Sequence, residues 1–385
     1  MDLGNDPPST IDLSLVVNSW LSVGSLYLSS DTNTPQAITM AYTSGSHDRR
    51  GFDLAMQTSL GVIVLGILVL ILYSWKIGLT VLMAGCISFI TMEAISAPPE
   101  NGPVNFIGWS RRQNTRKPVL VCLGDSLTHG NCSASITPEI PPKLCQALGM
   151  TPPKYNEIFS DPLWIVNCGQ NGMTSRTILH ERLSQALGCH PDYILLWIGT
   201  NDVRAVYKQS WSKEVVRIND LPLAPTLDGF ERNLKGIVDF IRQSSPTVQI
   251  GICTLPPMGE DLKSKANAVV RKANDIIERV AGSDGEKTTL IPVFGRLEAI
   301  LEKKRRSWNT PSVDWFFWIS VVMNPLFHVI PFFSWCNWNS LSKPFSHAIL
   351  NDGLHLNEHG RDEVVDLIVD WLLKKNIAKA IAVKS

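Results

Sequence analysis

The chain has 385 residues, of which 35 are basic and 35 acidic, so its formal net charge is zero. A protein that binds nucleic acid usually carries a basic excess, and we therefore expect no nucleic-acid partner. The eight cysteines form no CxxC pair and have no regular spacing, which indicates neither a disulfide framework nor a zinc site.

The N-terminal part of the chain contains no predicted globular core. Residues 1–57 are rich in Ser, Thr, Asn and Asp and predict a disordered tail. Two uncharged apolar runs follow, Thr58–Trp75 and Ile77–Met92, with Lys76 between them. Crossing a bilayer takes about 20 apolar residues, so one helix through both runs would be too long. The pattern favours a transmembrane helical hairpin over residues 58–96, while a single span and a soluble core pair remain open.

Basic residues flank this apolar pair on both sides, at Arg49 and Arg50 before it and at Arg111 and Arg112 after it. Short basic flanks tend to stay in the cytosol, so both ends of a hairpin are expected there. We therefore expect a membrane protein whose globular domain faces the cytosol. Residues 97–117, which contain several prolines and glycines, predict a linker.

A globular domain is predicted over residues 118–375, because apolar runs suited to buried strands alternate with helical patterns. The predicted strands are Val119–Leu123, Trp164–Asn167, Tyr193–Ile198, Val248–Cys253 and Thr289–Val293. The predicted helices are Pro142–Leu148, Ser175–Leu187, Gly229–Gln243, Lys265–Ala281, Glu298–Lys304 and a last helix after Leu356. This alternation predicts an α/β fold with a parallel five-stranded sheet covered on both faces. Residues 376–385 are expected to form a C-terminal tail.

Four polar blocks lie at the ends of these elements. Ser126 follows the first strand in Gly-Asp-Ser-Leu, and Gly172 follows the second in Asn-Cys-Gly-Gln-Asn-Gly. Asn201 follows the third strand in Gly-Thr-Asn-Asp, and Asp352 and His355 precede the last helix in Asp-Gly-Leu-His. Because the carboxyl ends of parallel strands meet at one edge of the sheet, we expect these residues to converge there.

The converging residues suit acyl transfer. His355 would take the proton of the Ser126 hydroxyl as general base, and Asp352 would hold the imidazole in the required tautomer. The backbone N–H groups of Ser126 and Gly172 and the side-chain amide of Asn201 would stabilise the oxyanion. This chemistry needs no metal and no cofactor.

Three neighbouring residues have competing interpretations. His129 lies three residues from Ser126, but we expect it to support the loop because His355 has an adjacent aspartate. Asp125 is expected to hydrogen-bond the loop. Arg176 follows Gly172 and is open to two roles, a contact with an anionic substrate group or a salt bridge on a helix surface.

In this order, the four blocks resemble the GDSL lipase/esterase family, also called SGNH hydrolases. The resemblance covers residues 118–375 and implies a flavodoxin-like three-layer α/β/α sandwich that hydrolyses esters. It also implies Ser126 as nucleophile, Gly172 and Asn201 as oxyanion donors, and Asp352 and His355 as the rest of the triad.

One segment departs from a compact esterase. Residues 305–350 form an apolar, aromatic insertion that begins within a basic cluster, Lys303–Arg306, and precedes the Asp352 block. Aromatic segments beside basic residues suit a membrane interface. We expect either a membrane-docking lid that lines an acyl channel or an apolar subdomain packed on the core.

Together these features predict a membrane-anchored serine ester hydrolase that acts on lipid or other acyl esters. An O-acetyl esterase and an acyltransferase would use the same triad and remain open. A catalytically silent membrane adaptor is a further alternative, although it would need none of the five site residues.

Overall fold

The computed structural model describes residues 59–67, 76–83, 85–86, 99, 101–110, 117–130, 134–151, 162–303 and 347–384. The predicted N-terminal tail and the aromatic insertion up to residue 346 lie outside these ranges.

A parallel sheet of five strands forms the centre of the described chain. The strands are β1 (Val119–Gly124), β2 (Trp164–Gly169), β3 (Tyr193–Trp197), β4 (Gln249–Cys253) and β5 (Thr288–Ile291). Their order across the sheet is β2-β1-β3-β4-β5, and every neighbouring pair is parallel. This is the flavodoxin-like strand order, so the predicted α/β fold is confirmed.

The strands read as continuous apolar runs because helices cover both faces of the sheet. Side chains of β1 alternate between two cores: Val121 and Leu123 belong to one buried cluster, and Leu120 and Cys122 belong to the other. One core on each face makes the three-layer arrangement that the resemblance implied.

Eleven helices occur downstream of residue 100 in the described part of the chain. They are α1 (Pro103–Ser110), α2 (Ser126–His129), α3 (Ile140–Leu148), α4 (Ser175–Thr177 and Leu183–Leu187, joined by the π-helical turn Ile178–Arg182), α5 (Thr200–Tyr207), α6 (Gln209–Ile218), α7 (Leu227–Ser244), α8 (Lys265–Ser283), α9 (Val293–Lys303), α10 (Glu358–Lys374) and α11 (Ile377–Lys384). Side-chain oxygens cap three of the long ones, with Thr226 before α7, Ser264 before α8 and Asn357 before α10. Apolar side chains of α4, α7 and α8 fill the first core, and those of α3, α9 and α10 fill the second.

Two segments outside the predicted domain limits pack onto it. In the predicted linker, α1 buries Phe106 edge-on against Trp164 of β2, with ring centroids 5.4 Å apart. The Asn101 carbonyl also accepts a hydrogen bond from the Asn167 N–H at 2.9 Å. In the predicted C-terminal tail, α11 begins with Ile377, which is fully buried in the second core. Both segments fold because each supplies an apolar side chain that the sheet or its helices can cover.

The described parts of the apolar pair are helical over residues 59–67, 76–83 and 85–86. The two stretches touch where a Cβ added to Gly66 would clash with Leu82, and one added to Gly85 would clash with Ile63. Among the described residues, no helix combines the length and apolarity that a membrane crossing requires. The rest of the predicted transmembrane hairpin lies outside the described residues.

Candidate active site

The Ser126 turn lies at the carboxyl edge of the sheet. β1 ends at Gly124, and α2 begins at Ser126 beside the point where the chain order reverses between β1 and β3. Ligands of doubly wound folds bind in the crevice at this point. Asp125 caps α2, because its Oδ1 atom accepts a hydrogen bond from the Leu127 N–H at 3.0 Å.

Three side chains that are far apart in sequence form one hydrogen-bond chain. The Ser126 Oγ atom lies 2.9 Å from Nε2 of His355, and Nδ1 of His355 lies 2.7 Å from Oδ2 of Asp352. Ser126 and His355 are partly exposed, whereas Asp352 is buried. The arrangement can transfer a proton from a hydroxyl at the surface to an imidazole that a buried carboxylate orients.

The environment of Asp352 favours its charged form. Burial by itself would raise the pKa of this carboxyl, but the neighbouring His355 and the hydrogen bonds outweigh it, so the pKa lies below its ordinary value. Its Oδ1 atom accepts the backbone N–H groups of Leu354 at 3.0 Å and His355 at 2.8 Å. The carboxylate is therefore fixed on both oxygens and stays ionised at neutral pH.

The loop that carries Asp352 and His355 is tied to the segment after β4. The Gly259 N–H donates to the Gly353 carbonyl at 2.7 Å, and Gly353 has a φ of 87°, in the left-handed region that favours glycine. The Glu260 carboxylate accepts the backbone N–H groups of Ile349 at 2.8 Å and Leu350 at 3.2 Å. These bonds hold the loop that carries Asp352 and His355 against the segment after β4.

The Ser126 turn is fastened to the neighbouring strand by Asn167. Its amide donates to the carbonyls of Thr128 at 3.1 Å and His129 at 3.2 Å, and its Oδ1 atom accepts the Gly169 N–H at 2.9 Å. A Cβ on Gly169 would lie closer than 3.0 Å to the backbone of both residues. The first two members of the Asn-x-Gly block therefore position the serine turn.

Adding a methyl group at residue 169 is expected to disturb this contact. In Gly169→Ala the new Cβ would meet backbone atoms that cannot rotate away, so we expect a loss of about 1–3 kcal/mol in unfolding free energy and reduced activity. Urea denaturation measures the unfolding free energy, and the rate of p-nitrophenyl ester hydrolysis measures the activity. Gly295→Ala in α9 is the matched control, since nothing lies within 4 Å of its added Cβ. Equal behaviour of the two variants would contradict the role given to Gly169.

The predicted oxyanion donors lie around the same edge. Within the described residues, the backbone N–H groups of Ser126 and Gly172 donate to no protein acceptor. Gly172 has a φ of 77°, and only the Ile218 side chain comes near its Cα face, at 3.6 Å from an added Cβ. The buried Asn201 amide donates one N–H to the Met173 carbonyl at 2.9 Å. Its second N–H has no acceptor in the described part of the chain.

The structure separates the neighbouring residues from the proton-transfer chain. His355, and not His129, hydrogen-bonds Ser126. Asp125 is fully buried, and burial raises the pKa of its carboxyl to about 6. Arg176 is exposed and forms no ion pair with any residue that the structure describes. No group of three potential metal ligands occurs among the described residues.

The raised pKa of Asp125 predicts a pH-dependent stability. Because the folded-state pKa of about 6 exceeds the unfolded value, this group favours folding below about pH 4, and its contribution is lost as pH rises through 6. Asp125→Asn keeps an acceptor for the Leu127 N–H and carries no charge. We expect it to be more stable than the unchanged protein by about 2–3 kcal/mol at pH 8, and by less at pH 5. Urea denaturation at both pH values measures this; a difference independent of pH would contradict it.

Two supporting residues carried no signal in the sequence. Asn219, at the end of α6, donates to the Gly172 carbonyl at 2.9 Å and accepts the Thr177 hydroxyl at 2.9 Å. Arg204, in α5, donates to Oδ1 of Asn201 at 3.0 Å. Asn219 acts on Gly172 through a contact that depends on the tertiary fold, whereas Arg204 acts on Asn201 within one turn of α5.

Comparison with known proteins identifies one family. The model of the GDSL-like Lipase/Acylhydrolase family matches residues 122–316, about half of the chain. The matched region contains Ser126, Gly172 and Asn201 and ends before Asp352 and His355. A search of curated proteins found no match.

Several solved structures are similar to this chain at low identity. A catalytic mutant of Axe2, an acetylxylan esterase from Geobacillus stearothermophilus, is 15% identical, with 66% of this chain and 93% of that chain covered and a TM-score of 0.42. The acetyl xylan esterase AlAXEase is 16% identical, with 66% and 99% covered and a TM-score of 0.43. LAE5, an alpha/beta hydrolase enzyme from the metagenome of Lake Arreo, Spain, is 18% identical, with 66% and 95% covered and a TM-score of 0.41. Because these similarities are low, the roles of the site residues are argued from the geometry of this chain.

Proposed function

Because the chain belongs to the GDSL-like lipase/acylhydrolase family and is a carboxylic ester hydrolase, we propose that it cleaves acyl esters with Ser126 as nucleophile. His355 acts as general base and acid, and Asp352 orients its imidazole. The observation that carries the proposal is the continuous hydrogen-bond chain from the Ser126 hydroxyl through His355 to the buried Asp352.

The proposed reaction has two halves. In the first, the Ser126 Oγ atom attacks the ester carbonyl while its proton moves to Nε2 of His355, and the tetrahedral intermediate then expels the alcohol, which takes that proton. In the second, water attacks the acyl-enzyme and gives a proton to His355, which returns it to the Ser126 Oγ atom as the acyl–Oγ bond breaks and the carboxylic acid leaves. In both intermediates the oxyanion accepts hydrogen bonds from the N–H groups of Ser126 and Gly172 and from the Asn201 amide.

We propose that the acyl group is hydrophobic, as in a lipid ester. A water-sized apolar recess at the border of the first core is lined by Thr200, Val203, Leu255, Pro256, Pro257, Met258, Val270 and Leu354. Thr200 precedes Asn201, and Leu354 precedes His355, so the recess lies beside two residues of the proposed machinery. The recess is too small to hold an acyl chain, so the support for a hydrophobic acyl group is the uncharged aromatic stretch Trp315–Ser342, which precedes the Asp352 block in the sequence.

Hydrolysis of p-nitrophenyl esters from acetyl to palmitoyl tests this proposal. We expect kcat/KM to rise with chain length before it levels off, and Ser126→Ala to remove activity on every ester. Ser244→Ala is the matched control, because Ser244 is exposed at the end of α7, and the following β4 places it at the opposite edge of the sheet. A protein that folds but hydrolyses no ester would support a silent adaptor, and a preference for acetyl alone would support an O-acetyl esterase.

We also propose that the helical pair before the domain attaches the enzyme to a membrane, with the catalytic domain on the cytosolic side. The close contacts at Gly66 and Gly85 are typical of helices that pack in lipid through small residues. The pair exposes an unusual number of large apolar side chains: Leu60, Val64, Leu65, Ile67, Ile77, Leu79 and Met83. A surface of this kind is stable when lipid or protein covers it.

Extraction of membranes with alkaline carbonate tests the attachment. We expect the full chain to stay in the membrane pellet, and the double variant Leu65→Arg/Leu79→Arg to move to the supernatant. Leu223→Arg is the control, since Leu223 is 80% exposed within the domain. Full release of the unchanged protein would contradict attachment. The side of the membrane is tested with sealed vesicles whose cytosolic face points outward: digestion of the catalytic domain by added protease would support a cytosolic domain, and protection from the protease would contradict it.

A further inference from the structure

Arg204 is a buried cation that the proposed reaction does not use directly. It lies in α5, three residues after Asn201, and only 7% of its surface is exposed. An arginine is almost never fully buried unless its guanidinium has partners. We therefore asked which groups bind the guanidinium of Arg204, one helical turn from the proposed oxyanion donor Asn201.

The contacts of Arg204 fix the orientation of the Asn201 amide. Nη1 of Arg204 lies 3.0 Å from one end of that amide, and the Met173 carbonyl lies 2.9 Å from the other end. A guanidinium can only donate and a carbonyl can only accept, so the first end must be the oxygen and the second the nitrogen. Two independent partners thus impose the same orientation, which leaves the second N–H of the amide available to a ligand.

Helix α6 holds Arg204 in place. The guanidinium lies over the ring of Trp211, 4.9 Å from its centroid, and Nη2 lies 3.6 Å from a carboxylate oxygen of Glu214. Burial lowers the pKa of Arg204, while Glu214, Asp352 and Asp125 act in the opposite direction. Arginine keeps its charge under such a shift, so it remains a donor across the working pH range.

Helix α6 also supports Gly172, the second proposed oxyanion donor that lies outside the serine turn. Asn219, directly after α6, donates to the Gly172 carbonyl at 2.9 Å. One helix therefore supports both the Asn201 amide and the Gly172 turn. This shared support is what would be expected of a device that keeps two donors at a fixed spacing.

We propose that Arg204 is a positioning residue for the oxyanion hole: it holds the Asn201 oxygen, so that the amide N–H faces the reacting carbonyl. This inference rests on the proposed function, because it assumes that Asn201 stabilises the oxyanion. Without Arg204 the amide can turn over and present its oxygen to the developing negative charge. The transition state then loses stabilisation, which lowers kcat, while substrate binding stays nearly unchanged.

A double-mutant cycle with Asn201 tests the inference. Removing one oxyanion donor costs about 10²–10³ in kcat, so Asn201→Ala is expected to lose that much. Arg204→Met removes the donor and keeps most of the buried stem; we expect kcat to fall about 10–100-fold with KM within about threefold, since part of the amide population stays correctly oriented. In the Asn201→Ala background, Arg204→Met should change kcat by less than about twofold, because the group through which it acts is gone.

Two further variants separate positioning from stability. Arg204→Lys retains a donor without the planar fork and should recover part of the lost kcat. Arg242→Met is the matched control: Arg242 is a largely buried arginine that pairs with Asp284 at 2.5 Å at the opposite edge of the sheet. It should lower the melting temperature and leave kcat of the folded enzyme unchanged. If Arg204→Met does not fold, Glu214→Gln, which loosens Arg204 without removing it, should show a smaller fall in kcat with the same dependence on Asn201.

The outcomes distinguish a failure of the Arg204 inference from a failure of the oxyanion role proposed for Asn201. If Asn201→Ala lowers kcat as expected but Arg204→Met does not, or if the two losses multiply in full, Arg204 is not a positioning residue and the proposed function stands. If Asn201→Ala leaves kcat unchanged, the oxyanion role of Asn201 fails, and the inference on Arg204 fails with it.

Discussion

Replacement of His355 by alanine is expected to lower kcat by about 10⁴–10⁶, because the Ser126 hydroxyl then has no base to accept its proton. The 2.9 Å contact between Oγ and Nε2 is the only contact of the Ser126 hydroxyl with a titratable group in the described part of the chain. A serine hydroxyl without a partnered base is a weak nucleophile at neutral pH. KM is expected to change little, since the imidazole does not hold the acyl chain.

The control for this variant is His359→Ala, because His359 is exposed on α10, four residues from His355. It should retain full activity. The double variant Ser126→Ala/His355→Ala should lose no more activity than either single variant, because the two groups act as one unit. Full activity in His355→Ala, or losses that multiply in the double variant, would contradict a serine activated by this histidine.

Replacement of Asp352 by asparagine is expected to lower kcat by about 10⁴ with little change in fold. Its Oδ1 atom accepts two backbone N–H groups, and an asparagine oxygen can take the same two bonds. The amide nitrogen must then face Nδ1 of His355, which becomes an acceptor and moves its proton to Nε2. In that tautomer the imidazole donates to Ser126 and cannot act as its base.

Stopped-flow or steady-state assays on one p-nitrophenyl ester give kcat for Asp352→Asn, and thermal unfolding reports the fold. Asp366→Asn is the control, since Asp366 is a half-exposed residue of α10 that pairs with Lys143 at the surface. We expect that control to keep its kcat. An Asp352→Asn enzyme with near-normal kcat would mean that the carboxylate serves the loop and not the imidazole.

Much of the fold could be predicted from local sequence patterns that do not depend on which elements pack together. The apolar runs that predict β1, β2 and β3 are buried on both faces, so they contain few polar interruptions and end at turn residues. Helix α5 was not predicted because it buries polar side chains, whereas α6 was not predicted although Trp211, Val215 and Ile218 form an apolar stripe at helical spacing. The buried polar residues of α5 have specific partners: Asn201 donates to the Met173 carbonyl, Asp202 accepts the Ser175 N–H, and Arg204 donates to Asn201 within the helix.

The site was predictable where it depends on topology and not where it depends on packing. Parallel strands bring their carboxyl ends to one edge, so the motifs after β1, β2 and β3 had to converge. The supports of those motifs, such as Asn167 on the serine turn and Asn219 on Gly172, follow from distances that no local pattern encodes. Helix α1, within the predicted linker, had no signal in the sequence for the related reason that its buried side chain Phe106 is significant only beside Trp164.

The central claim is that Ser126 carries the nucleophile that His355 and Asp352 activate. Its most direct test is peptide mass spectrometry after reaction with a fluorophosphonate ester. We predict one phosphonyl group per chain, on the tryptic peptide that contains Ser126, formed at least about 10³-fold more slowly in His355→Ala. Stoichiometric labelling of another residue, or labelling at the same rate without His355, would contradict the account.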